Sequence, residues 1–194
     1  MPEPLHPTPL PQAYRLLNHG PTVLVGSCHA GRSNVMAAAW AMPLDFDPPK
    51  VAVVIDKATL TREWVDASGV LSLSVPTVAQ AELTRAVGTM SGREHADKLL
   101  RCGVKTFPGP HTGAPLVDGS IAHLECRVLP ATPHVAGPHD LILAEVLAAW
   151  ADPRVFSGGR WHFESAPDTL RSLHHVAGGH FYAIGTPVAA SSSN

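Results

Sequence analysis

Apolar residues in this chain come in short runs cut off by Gly, Pro, Asp and Ser, a pattern that predicts a β-rich domain with a few short helices. Val23-Leu24-Val25-Gly26-Ser27 reads as a strand that stops at a hairpin turn, Ala30-Gly31-Arg32-Ser33, and returns through Asn34 to Ala41. After a corner at Asp45-Phe46-Asp47-Pro48-Pro49, the nearly unbroken apolar stretch Lys50 to Ile55 is expected to be a strand covered on both faces. Thr59 is the expected N-cap of a short helix carrying Leu60, Trp64 and Val65, and Gly69 is its stop. Val70 to Val75 alternates with a period of two, which predicts a strand with one polar face.

Farther along, Val78 to Val87 predicts a helix packed on one side and broken by Gly88, and Glu94 to Cys102 a second one ending at Gly103. Phe107 to Pro115, with three prolines and two glycines, has the composition of a lid or interface loop. Ser120 to Leu129 reads as a strand. Asp140 to Ala149 fits a helix or a strand on propensity alone, because Leu and Ala favour the helix. Asp152 to Glu164 reads as a hairpin insertion or irregular loop around Ser157-Gly158-Gly159-Arg160, Thr169 to His175 as a helical turn, and Phe181 to Ile184 as a last strand. Residues 1–20 are expected to form a Pro-rich arm over the surface or a partner subunit, with a helical turn at Ala13 to Asn18. Residues 21–188 form one domain and 189–194 a flexible tail.

Composition narrows the function classes. At 194 residues the chain can bury a substantial core as one domain, roughly 70% of its extended surface. A formal charge of −2 and no basic cluster argue against a nucleic-acid surface. No apolar run approaches the ~20 residues of a membrane span and no signal peptide opens the chain, so the cytoplasm is the expected compartment. Cys28, Cys102 and Cys126 are odd in number and widely spaced, which disfavours a disulfide framework or a zinc knuckle. Cys28 and His29, as neighbours in a strand, point to opposite faces and do not form a thiol–base pair.

Two groups of residues point to a ligand. Ala37, Ala38 and Ala39 carry almost no side chain, so a flat group has access to the backbone beside them. Lys57, Thr59, Thr61 and Arg62 then gather cations and hydroxyls at a helix start, a combination suited to a phosphate. The plainer reading of that segment is a solvated strand end and a capped helix, and that of Met36 and Trp40 is core packing. A flat ring with a phosphate suggests flavin mononucleotide, although other phosphorylated cofactors fit the same chemistry.

Taken in order, Gly31-Arg32-Ser33-Asn34-Val35-Met36, Trp40, Phe46-Asp47-Pro48-Pro49, Lys57 to Arg62, Ser91-Gly92-Arg93 with Asp97-Lys98, Leu124-Glu125-Cys126-Arg127 and Gly178-Gly179-His180-Phe181-Tyr182 resemble the flavin reductase-like, flavoredoxin-type family of FMN-binding split-barrel proteins. The resemblance runs from about Pro21 to Gly185. It implies a mostly β fold, a six-stranded Greek-key split barrel with short flanking helices, in which Asp140 to Ala149 is a strand. It implies an FMN site at Asn34, Val35, Met36, Ala37, Ala38, Ala39, Trp40, Asp56, Lys57, Thr59, Thr61, Ser91, Arg93 and Lys98. It also implies a homodimer with FMN near the subunit interface, NADH or NADPH as electron donor, and an acceptor that is free flavin, a metal or a protein, such as a monooxygenase or redox partner. The chemistry is centred on the flavin and needs no catalytic side chain, with His180 placed to hydrogen-bond the flavin or a nicotinamide.

A different class stays open, a non-catalytic FMN- or haem-binding barrel. The histidines, twelve in all, include His174, His175 and His180, and His123 shares a strand face with Glu125; these sets lack a regular metal-ligand spacing and read as structural or exposed.

Overall fold

The computed structural model describes residues 4–130 and 137–190. Its strands are β1 (His6–Pro7), β2 (Val23–His29), β3 (Arg32–Ala38), β4 (Ala41–Phe46), β5 (Pro49–Val54), β6 (Val70–Val75), β7 (Thr106–Pro108), β8 (Pro115–Val117), β9 (Ala122–Val128), β10 (Leu141–Ala151), β11 (Phe156–Ser157), β12 (Arg160–Trp161), β13 (Leu173–Ala177) and β14 (His180–Ala183). Three helices, α1 (Leu60–Ser68), α2 (Ala81–Thr89) and α3 (Lys98–Arg101), flank them. The main antiparallel sheet runs β3-β2-β6-β9-β10-β5-β4, with β1 added on β10.

β3 and β4 are the two ends of that path, yet Ala39 and Trp40 alone join them in sequence. A two-residue link spans at most ~10 Å, so the sheet must curl until its edges approach at that point. The result is a barrel split between β3 and β4. Inside it lie alternate residues of the strands, Val23 and Val25 from β2, Val51 and Val53 from β5, Leu71 and Leu73 from β6, Leu124 and Cys126 from β9, and Ala144 and Val146 from β10. A second, smaller core of Leu24, Val35, Val87, Val104 and Val117 fills the space outside β2 and β3. β2 is therefore buried on both faces, which accounts for its unbroken apolar run.

Local signals explain the element ends. Ala30 and Gly31 both have positive φ, 48° and 73°, as a two-residue hairpin turn requires, and this lets β2 and β3 pair from His29↔Arg32 onward. Thr59 caps α1: its hydroxyl accepts from Arg62 N at 3.1 Å, and the left-handed Gly69 ends the helix. Glu125 is fully buried on β9, and its carboxylate accepts from Thr112 N at 2.7 Å, Thr112 Oγ1 at 2.6 Å and His111 N at 3.1 Å. These bonds hold the tip of the β7–β8 hairpin, in the stretch expected to be a lid or interface loop.

Several expectations shift. The return strand ends at Ala38, and Ala41–Phe46 forms a further strand, so seven long strands stand where six were expected. The second predicted helix shrinks to Lys98–Arg101. Thr169 to His175 is a helical turn over Asp168–Leu170 alone. β13 follows, because Gly178 and Gly179 fold it back on β14. The Pro-rich arm lies on its own chain, with His6 and Pro7 paired to Ala151 and Trp150, and Ala13 and Leu16 in the main core. Asp152 to Glu164 contains the β11–β12 hairpin, whose Trp161 stacks on Phe163 at 4.8 Å. Residues 191–194 of the expected flexible tail lie outside the described residues.

Candidate functional site

A cavity of about 430 Å³ opens where the barrel splits, within the roughly 300–1,000 Å³ range of small-molecule sites. Met36, Ala37, Ala38, Ala39 and Trp40 form one wall, with Val54 and Asp56 beside them. Because β3 is an edge strand, every second residue along it turns its N–H and C=O away from β2, leaving main-chain donors and acceptors free. The alanines keep that edge uncovered. Trp40 lies beyond the strand end and is 74% exposed; its carbonyl accepts from Val54 N at 2.9 Å.

The resemblance placed the glycine-flanked segment around His180 at the opposite wall, but the contribution of α2 was not anticipated. That wall comes from α2 through Thr84, Arg85, Gly88 and Thr89, and from the β13–β14 hairpin through His175, Gly179 and Phe181. Gly88 lets the helix come close, since a Cβ there would sit 3.4 Å from that of Ala37. Thr84 is fully buried and its hydroxyl has no hydrogen-bond partner among the described residues. The only sequence hint was the polar stripe Thr84, Gly88 and Thr89 along one side of a helix otherwise rich in Ala, Leu and Val. His180 opens β14 between the lining residues Gly179 and Phe181 and is itself exposed.

The remaining candidates gather at the other end of β3. Asn34, buried, donates to Thr61 Oγ1 at 2.8 Å, and Gly92 lies against the Asn34 carboxamide so closely that a Cβ would meet Oδ1 at 2.8 Å. Val35 faces the smaller core. Arg93 points its guanidinium at the carbonyls of Ala58 and Thr59, at 3.4 and 3.5 Å, and pairs with Glu63 at 2.7 Å. The Ser91 hydroxyl accepts from Arg93 N at 3.2 Å. The Asp56 carboxylate accepts from Ala58 N at 2.8 Å, and Thr59 Oγ1 donates to Asp56 O at 2.8 Å, which shapes the turn that carries exposed Lys57.

Two cations of this region differ sharply. Arg62 is engaged within the fold, with Asp66 at 2.9 Å and Ile55 O at 3.1 Å. Lys98 is 4% exposed and has no ion-pair partner among the described residues; burial pushes its ammonium below the ordinary lysine range. Cys28 stands away from the cavity, and burial raises its thiol. Among the described residues no group of three or more His, Cys, Asp and Glu is arranged to hold a metal. No helix among the described residues is long and apolar enough to cross a membrane.

A family model described as flavin reductase like domain matches residues 15–169. An uncharacterized protein of Escherichia coli K12, YddH, is 46% identical over 187 residues, 95% of this chain and 97% of its own. The FMN reductase (NADH) RutF of Variovorax paradoxus is 28% identical over 142 residues, 71% of this chain and 74% of its own. Among solved structures, the FMN-binding domain of a flavin reductases-like enzyme from Shewanella baltica superposes with a TM-score of 0.93 at 51% identity, covering 96% of this chain and 97% of that one.

Proposed function

The chain belongs to the flavin reductase-like family, and from that premise we propose that it binds FMN in the cavity at the barrel split and passes electrons from NADH or NADPH to an acceptor. The observation that carries this reading is the uncovered edge of β3, an alanine ribbon with free main-chain groups facing a cavity of suitable size. When bound, FMN supplies the two-electron chemistry, taking hydride from a nicotinamide and handing electrons on to free flavin, a metal or a redox protein.

The residues fit that group. N–H groups along β3 are donors for the ring's polar edge, and fixed dipoles of this kind favour the extra negative charge of the reduced state. Lys57, Ser91, Arg93 and Lys98 are the donors for the phosphate. Lys98 fits this role best, since a largely buried lysine with no carboxylate partner among the described residues is stabilised by an anion brought to it. The apolar walls of Met36, Val54 and Phe181 limit water around the ring.

The same split supports a homodimer. Trp40, Met42, Leu44 and Phe46, at every second position from the link through β4, are 74%, 55%, 47% and 64% exposed. Such a row on an edge strand calls for a cover. Trp40 belongs both to this row and to the cavity wall, so a second copy seated there also closes the cofactor site.

The test is the visible spectrum of the purified protein, reconstituted with FMN, before and after anaerobic NADH. A flavin spectrum that bleaches is the expected result. A bound flavin that NADH and NADPH leave oxidised reassigns the chain to ligand binding without catalysis, and failure to take up FMN rejects the site.

A further inference from the structure

Arg85 lines the cavity, is exposed, and pairs with no carboxylate among the described residues. The phosphate donors named above do not include it, and its position explains why. Gly92 lies on Asn34 at one end of β3, while Gly88 lies on Ala37 and Arg85 one turn earlier in α2, so helix and strand run side by side in opposite directions. From Asn34 to Ala38 is four residues of strand, ~13 Å at about 3.3 Å each. Arg93 thus marks one end of the ribbon and Arg85 the other, with apolar wall between.

The far end is built to hold the Arg85 side chain. Gly179 has φ 80°, and a Cβ on it would stand 3.3 Å from Arg85 Nε, so the glycine turn leaves the room the guanidinium occupies. That turn is fixed to the barrel, since His175 N donates to Thr22 Oγ1 at 2.8 Å. Thr84, one residue before Arg85, adds to the same wall a buried hydroxyl with no partner among the described residues.

A flavin anchored by its phosphate at the Arg93 end has no second phosphate to offer. We propose that Arg85 recognises the pyrophosphate of the nicotinamide dinucleotide that reduces the flavin, with Thr84 as a neighbouring hydroxyl donor. This rests on the flavin reading given above. A pyrophosphate is the suitable partner because a guanidinium offers several N–H groups to phosphate oxygens in a fixed fork. Arg85 is then the residue through which the site prefers a full dinucleotide over a simple dihydronicotinamide.

The experiment uses the FMN-loaded protein and the variants Arg85→Gln and Arg85→Lys. Calorimetry with NAD⁺ is expected to show Kd rising about tenfold in R85Q and partly restored in R85K. The KM for NADH rises by a similar factor with kcat little changed. Turnover with 1-benzyl-1,4-dihydronicotinamide, which has no phosphate, falls by a much smaller factor than turnover with NADH. Equal loss with both donors, or loss with neither, overturns the proposal. A weakened FMN Kd also overturns it, by assigning Arg85 to the flavin phosphate. Failure of the wild-type protein to bind FMN is a separate result that removes the flavin reading and the Arg85 role with it.

Discussion

Lowering the pH from 7.5 to 5 should destabilise this protein through its buried histidines, and His123 isolates the effect. His123 is fully buried on β9; Nδ1 is hydrogen-bonded with Ser74 Oγ at 2.9 Å, and the ring packs edge-on against Phe107. Taking an imidazolium out of water there is costly, and burial lowers its pKa to about 3 against a smaller opposing effect of the Ser120 backbone. The unfolded chain takes up the proton near pH 6.5 and the folded chain does not, so stability present above 6.5 is lost as pH falls toward 3. Between pH 7.5 and 5 this amounts to about 2 kcal/mol, at 1.36 kcal/mol for each unit below 6.5. His19, also lowered to about 3 by burial and by His174, adds in the same direction. His123→Leu removes the His123 contribution and leaves those of His19 and His174 in place. Urea titrations at both pH values should show the wild type losing about 2 kcal/mol more than H123L over this interval. H123L itself should start lower at pH 7.5, by about 1 kcal/mol for the Ser74 bond. If the two proteins lose stability in parallel, His123 is not held neutral and the reasoning fails.

Gly88→Leu should raise the FMN Kd tenfold or more while leaving Tm unchanged or higher, because leucine fills the gap above Ala37 and favours the helix by up to ~1 kcal/mol. Equal FMN affinity in fluorescence titration would place the flavin elsewhere. Lys98→Met should weaken FMN about tenfold and riboflavin hardly at all, since only FMN carries the phosphate; equal loss for both ligands would reduce Lys98 to a packing role. Gly26→Ala should lower the urea midpoint by the equivalent of ~3 kcal/mol, as the added Cβ overlaps the Pro115 carbonyl and the Ser72 hydroxyl, which are bonded to each other at 2.5 Å. In light scattering the wild type should run as a dimer and the double variant Leu44→Glu, Phe46→Glu as a monomer, and an unchanged mass would remove β4 from the interface.

Much of the barrel was legible because its signals are local. Period-two alternation in Val70 to Val75, the Thr59 cap with its Gly69 stop, and the Ala30-Gly31 turn act between residues near in sequence, and each formed as expected. Asp140 to Ala149 was not decided by propensity. Pairing with β5 and β9 on either side makes it a strand, and the buried positions Ile142, Ala144 and Val146 then alternate. β4 escaped notice for a related reason. Its apolar residues face outward, so Met42, Leu44 and Phe46 gave no sign of a core strand.

The alanines Ala37 to Ala39 could be singled out from residue type alone, since small side chains expose backbone wherever they lie, whereas Met36 and Trp40 were added by the family resemblance. What stands opposite the alanines could not be singled out that way. Thr84, Arg85 and His175 are remote from that ribbon in sequence, and curling of the sheet at Ala39–Trp40 together with packing of α2 onto β3 brings them to the same cavity. Tertiary structure likewise separated Arg62, spent on Asp66 and Ile55, from Lys98, left without a counter-charge among the described residues. Short-range patterns determine which segments become strands and helices. Which charges remain available for a ligand depends on long-range packing, because a side chain's partners are chosen only once distant segments meet.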